Sequence, residues 1–140
     1  MKKVFVDTNI LVDLLSMRAP FYDDSVKLFS LADKKKIELS ISSLTIANTN
    51  YILTKQLGKF QSKAILKKIA LVVQILPLNS KVIDLALIDE TFSDYEDGLQ
   101  YFTAIEHQQD VIVTRNLKDY KNASITVMTP RQFVEYFLNS

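Results

Sequence analysis

The chain has 140 residues, 48% hydrophobic and 24% charged, with a formal net charge of +1. That length and apolar content suit one globular domain over residues 1–140 with a substantial core, and near-neutrality argues against a protein that grips long duplexes by phosphate neutralisation alone. With no cysteine and a single histidine, His107, disulfides, thiolate zinc sites and cysteine nucleophiles are excluded, so any metal site must use oxygen ligands, which favour hard ions such as Mg²⁺ or Mn²⁺.

Short β-rich runs alternate with longer helical patterns along the whole chain. Strands are predicted near 3–6, 38–42, 73–76, 111–114 and 124–127, and helices near 10–16, 23–35, 45–57, 61–70, 80–90, 94–108 and 130–138. This alternation predicts an α/β fold with a central, mainly parallel sheet. Ala19-Pro20 and Pro77 mark breaks, and Thr129-Pro130 is a helix start with Thr as cap and Pro in the first turn. Lys34-Lys35-Lys36 reads as the solvated end of a helix, where cations suit the dipole. Neither a P-loop nor a G-x-G-x-x-G element occurs. No apolar stretch approaches the ~18 residues that span a bilayer, and the first residues read as a strand rather than a signal-peptide core, which predicts a soluble cytoplasmic protein with no membrane partner.

The first strand runs directly into chemistry in Val4-Phe5-Val6-Asp7-Thr8-Asn9-Ile10-Leu11-Val12-Asp13. A continuous apolar run is a strand buried on both faces, and open parallel sheets bind ligands at the carboxyl ends of their strands. Asp7 therefore belongs at the lip of a cleft. It reads equally as the cap of the helix that follows, and one residue can serve both roles.

The next informative segment is Ser93-Asp94-Tyr95-Glu96-Asp97-Gly98-Leu99-Gln100-Tyr101-Phe102. Ser93 and Glu96 form a capping-box pattern, so a helix is expected from Asp94. Asp97 shares a helical face with Tyr101, Ala104 and Ile105 and points toward packed structure, whereas Glu96 aligns with Gln100, Thr103 and His107 and points toward water. Complementing the helix N-terminus explains Asp94 and Glu96 better than it explains Asp97.

A third segment, Val111-Ile112-Val113-Thr114-Arg115-Asn116-Leu117-Lys118-Asp119-Tyr120, again sets polar groups straight after an apolar strand. Thr114, Asn116 and Asp119 would then share the sheet edge that carries Asp7, although Asn116 and Asp119 also suit a short helical turn. Carboxylates gathered there without basic partners repel one another, and a divalent cation is the usual resolution.

Together Val-Asp-Thr-Asn-Ile, Glu-Asp-Gly-Leu-Gln-Tyr and Val-Thr-Arg-Asn-Leu-Lys-Asp-Tyr resemble the PIN-domain family, metal-dependent ribonucleases that include the toxins of bacterial VapBC-type toxin–antitoxin pairs. The resemblance covers essentially the whole chain and implies a three-layer α/β/α fold. It implies Asp7 and Asp97 as ligands of Mg²⁺ or Mn²⁺, with Asn116 and Asp119 completing the catalytic set. Asn9, Asn48 and Thr114 would orient water or substrate. Arg115 and Lys118 beside the site would contact RNA phosphates, though both also read as ordinary surface charge. The implied partners are an RNA substrate, an antitoxin protein and a second copy in a homodimer. One position departs from the family pattern. Where the helix after the second strand commonly carries a Glu, this chain has Asn48, which supplies no charge, so a catalytically weak PIN-like module binding RNA or protein is the alternative function. A haloacid-dehalogenase-like phosphatase is disfavoured, because its Asp-x-Asp-x-Thr pattern meets Asn9 at the second acid.

Overall fold

The computed structural model describes every residue from Met1 to Ser140. In chain order the elements are β1 (Lys3–Val6), α1 (Thr8–Leu15), α2 (Tyr22–Asp33), β2 (Glu38–Ser42), α3 (Ser43–Leu57), α4 (Lys59–Ile69), β3 (Gln74–Leu76), α5 (Ser80–Ile88), α6 (Tyr95–Glu106), β4 (Val111–Val113), a 3₁₀ turn (Leu117–Tyr120), β5 (Thr126–Met128) and α7 (Pro130–Leu138). The sheet has the order β3-β2-β1-β4-β5, and every neighbouring pair is parallel.

The three layers follow from the alternation of side chains along each strand. Val4, Val6, Leu39, Ile41, Val111 and Val113 face one side, where Ile10 and Leu11 of α1, Leu28 and Phe29 of α2, and Phe133 of α7 close the larger core. Phe5 and Ile112 face the other side, against Tyr101 and Ala104 of α6 and Tyr120 of the 3₁₀ turn. Behind α6, Leu99 packs on Val82 and Ala86 of α5. Full burial of each large apolar side chain contributes ~1.5–3 kcal/mol, in keeping with β1 and β4, which are apolar at consecutive positions. No helix is long and apolar enough to cross a membrane.

Local signals set the ends of elements. Thr129 and Gln132 make a reciprocal capping box and Pro130 occupies the first turn of α7, as expected. Gly58 joins α3 to α4 at φ 88°, a conformation that side-chain-bearing residues rarely adopt. β5 begins two residues later than its sequence pattern suggests. The Ser124 N–H donates to Tyr101 Oη at 3.2 Å, and the two hydroxyls lie 2.7 Å apart, so Ser124 belongs to the loop. The expected Ser93 cap is also displaced. Asp94 caps α6, with its Oδ1 accepting from the N–H groups of Glu96 and Asp97 at 2.8 and 3.3 Å. This moves Glu96 to the second helical position and releases its side chain from reaching back to the cap.

Topology then locates a crevice. From β1 the chain goes to one side for β2 and β3, and later passes to the other side of β1 for β4 and β5. The carboxyl ends of β1 and β4 are adjacent, Val6 opposite Val113. Connections diverge there, and such switch points are where open α/β sheets bind ligands.

Candidate active site

Asp7 sits at this switch point, 7% exposed. It is the N-cap of α1 and it also lines the cleft, so both of its sequence readings apply. Its Oδ1 accepts from the Thr8 N–H at 2.8 Å and from Gln100 Nε2 at 3.3 Å, and its Oδ2 accepts from Thr114 Oγ1 at 3.0 Å. Gln100 is the hub of this arrangement. Its Nε2 also donates to Thr45 Oγ1 at 2.9 Å and Thr8 Oγ1 at 3.2 Å, while its Oε1 accepts from the Ser42 hydroxyl. One amide thus ties β1, α1, the β2–α3 junction and α6 together beneath the acid.

The cleft has a volume of about 530 Å³ and collects five carboxyl groups, those of Asp7, Asp94, Glu96, Asp97 and Asp119. Burial first, then the charges of Asp7, Asp94, Asp119 and Glu96, push Asp97 up to about 7. Tyr120, 2% exposed, has its hydroxyl without a hydrogen-bond partner. Burial first, then Asp7 and Asp97, push this phenol far above its ordinary range.

Of the residues singled out in the sequence, Asp7, Asn9, Asn48, Asp97, Asn116 and Asp119 come together around the cleft. Thr114 lies underneath, fully buried, holding Asp7 and accepting from the Asn116 N–H at 3.2 Å. Arg115 does not line the cleft. Its Nε lies 3.2 Å from Oδ2 of Asp13, which is completely buried in α1, and its guanidinium stacks 4.1 Å from the Phe21 ring centroid. Burial raises the Asp13 carboxyl above its ordinary range even though Arg115 and Arg18 pull it down. Lys118 is exposed on the 3₁₀ turn and likewise outside the cleft.

Glu96 is exposed, as its sequence reading expects, and it also borders the open cleft. There its Oε1 accepts from Asn48 Nδ2 at 2.9 Å. Gln100 and Thr103, expected on the same watery face, are 2% and 0% exposed, and His107 is half-buried. Asp13 and Gln100 are the residues that pattern reading missed. Gln100 carried one signal: it stands three positions after Asp97, so the two share a helical side.

The donor set fits a hard divalent cation. Every candidate donor is oxygen, burial and then mutual repulsion have already raised Asp97, and the buried Tyr120 hydroxyl, without a well-formed hydrogen bond, faces Asp7 and Asp97. No three acidic side chains converge tightly enough to cage an ion. Such a set matches Mg²⁺, which takes one or two carboxylates and completes its shell with water and substrate phosphate.

A carboxylate-lined cleft at the switch point of a five-stranded parallel sheet defines a class of protein, and residues 3–118 match the sequence pattern of the PIN domain. The chain belongs to the PIN-domain family. Ribonuclease VapC1 of Aquifex aeolicus (strain VF5) is 31% identical over 138 residues, covering 96% of this chain and 94% of that protein. Among solved structures, a toxin–antitoxin complex from Klebsiella pneumoniae superimposes with a TM-score of 0.70 at 21% identity, covering 91% of this chain and 97% of that one. PAE2754 from Pyrobaculum aerophilum gives a TM-score of 0.66 at 17% identity over 99% of this chain and 91% of that one. DNA-bound VapBC from Salmonella typhimurium gives 0.66 at 20% identity over 93% and 99%. At these identities the structural likeness is one of fold.

Proposed function

We propose that this chain is a divalent-cation-dependent endoribonuclease that cuts single-stranded or loop RNA in the cytoplasm, as the toxin of a toxin–antitoxin pair. The observation that carries the reading is the convergence of Asp7, Asp97, Asn116 and Asp119 on one cleft at the switch point. Similarity to Ribonuclease VapC1 along nearly the whole chain supports it.

Asp7 and Asp97 would hold Mg²⁺ or Mn²⁺. When bound, the ion supplies charge against these acids and Lewis acidity toward a phosphodiester. The rest is done by the chain. Thr8, Gln100 and Thr114 fix both oxygens of Asp7 before substrate arrives, so little reorganisation is needed. Asn9, whose Oδ1 accepts from the Arg115 N–H at 3.4 Å, and Asn116 line the cleft and would offer amide groups to phosphate or water, with Asp119 adding an acid near Asn116. Thr114 acts through Asp7 and is a positioning residue. The antitoxin and a second copy of the chain complete this reading.

The alternative, a PIN-like binding module without catalysis, draws on Asn48, which brings an amide to the cleft where the family pattern carries a carboxylate. Isothermal titration with Mn²⁺ separates the two. The wild type should bind and Asp7→Asn should lose most of the heat. Equal heats from both proteins would remove Asp7 from the metal site, and no heat from either would favour the binding module.

A further inference from the structure

We propose that Arg18 and Tyr51 form a docking subsite for a nucleotide flanking the cut, with Arg18 on a backbone phosphate and Tyr51 stacked on a base; this rests on the ribonuclease reading. A polyanion entering a cleft with five carboxyl groups needs an attractive charge, and Arg18 is the only basic residue among the cleft's lining. Its charge reaches Asp13 at longer range, but it makes no salt bridge. The protein's ion pairs are Lys81–Glu106, Arg115–Asp13 and Arg131–Asp24, and Arg18 is in none of them.

The main chain presents Arg18 at a fixed place. Helix α1 ends in a Schellman motif in which Met17 takes the left-handed position at φ 52°. The Arg18 N–H bonds to Asp13 O at 3.0 Å, and the Arg18 carbonyl accepts from the N–H groups of Phe21 and Tyr22 at 3.0 and 2.8 Å. Asp7 caps the other end of this same helix, which has 8 residues. Such a helix is ~12 Å long, so the main chain of Arg18 enters the cleft from the end of α1 opposite Asp7. Arg18 serves a neighbouring phosphate and leaves the reacting one to Asp7 and Asp97.

Tyr51 stands on the α3 wall of the cleft, 63% exposed, so its ring is available to a strand lying in the cleft. Lys55 Nζ lies 4.3 Å from its ring centroid and adds positive charge along the same rim. An aromatic face beside cations is how sequence-tolerant single-strand binding is built.

Fluorescence anisotropy with a labelled single-stranded RNA tests this in the full-length Asp97→Asn background, where binding is read without turnover. Arg18→Gln should weaken binding about tenfold, and the slope of log affinity against log salt should become shallower by about 0.7, the value for one phosphate contact on a single strand. Arg18→Lys should restore the slope. Tyr51→Ala should weaken binding about tenfold with the slope unchanged, and Tyr51→Phe should bind as the parent does. Mn²⁺ titration heats of Arg18→Gln and Tyr51→Ala in the wild-type background should match wild type. Equal affinity and equal slope for the parent and Arg18→Gln would overturn the subsite, as would a loss of RNA binding accompanied by loss of metal binding. Failure of the parent itself to bind RNA would overturn the ribonuclease reading and the subsite together.

Discussion

Asp97 holds its proton to about 7 because burial and four neighbouring carboxyl groups disfavour its charge. A carboxyl raised from 3.8 in this way binds more protons folded than unfolded between those two values, so its contribution to stability is present at acid pH and is lost as pH rises through about 7. Without metal, the melting temperature should fall as pH climbs from about 5 to about 8, and Asp97→Asn should flatten that fall and melt ~2–4 °C higher at the alkaline end. Calorimetry in EDTA measures this, and parallel profiles for the two proteins would contradict it. Asn48 makes the complementary case. Its amide donates to Glu96, so Asn48→Glu would replace a hydrogen bond of 2.9 Å with two facing carboxylates. The metal-free variant should melt lower than wild type, yet bind Mn²⁺ more tightly because the added charge attracts the ion. Superimposable melts and titrations would show that residue 48 is uncoupled from the acids. Asp7, Asn116 and Asp119 were legible because each follows an apolar strand, and Asp97 because it breaks an otherwise apolar helix face. Glu96 is exposed as read, but Gln100 and Thr103 on its face were misread, because that side of α6 lies against other elements that the helical period alone does not show.

Between elements, the buried pair Asp13–Arg115 ties α1 to the segment that carries Asn116. Removing one partner of a buried pair leaves an uncompensated charge, so Arg115→Ala should cost about 3 kcal/mol, the lower end for such pairs because the Arg115 side chain is 29% exposed. The double variant Asp13→Leu/Arg115→Met should recover most of that loss, since neither charge then needs a partner. Urea unfolding of wild type, single and double variants measures the difference. A double variant as unstable as the single one would mean that the pair's geometry itself holds the segment. Asp13 was invisible in the sequence for a physical reason: it falls within the apolar pattern of Ile10, Leu11, Leu14 and Leu15 and gives no sign that its partner comes from 102 positions away. Most helices and strands were readable because their periodicities are unambiguous. The start of β5 was not, since whether Ser124 pairs in the sheet depends on Tyr101 from another element.

At the scale of the whole molecule, strand order decides function. A near-neutral chain concentrates five carboxyl groups in one cleft because the chain switches sides at β1, bringing segments around residues 7, 97 and 116–119 to one edge. The same sheet, with its central strands β1, β2 and β4 largely buried, gives those acids a rigid base, and Gln100 couples several elements beneath them. Gln100→Leu should cost ~1–3 kcal/mol per buried group left unpaired, read as a lowered urea midpoint, and no change would show that water replaces the amide. The cleft's chemistry is tested most directly by incubating a 5′-labelled pool of single-stranded RNAs with wild type and with folded Asp7→Asn and Asp97→Asn variants, in Mg²⁺, in Mn²⁺ and in EDTA. Cleavage by wild type with either ion, abolished by EDTA and lost in both variants, is the expected result; cleavage that persists in EDTA, or at wild-type rate in either variant, would contradict it.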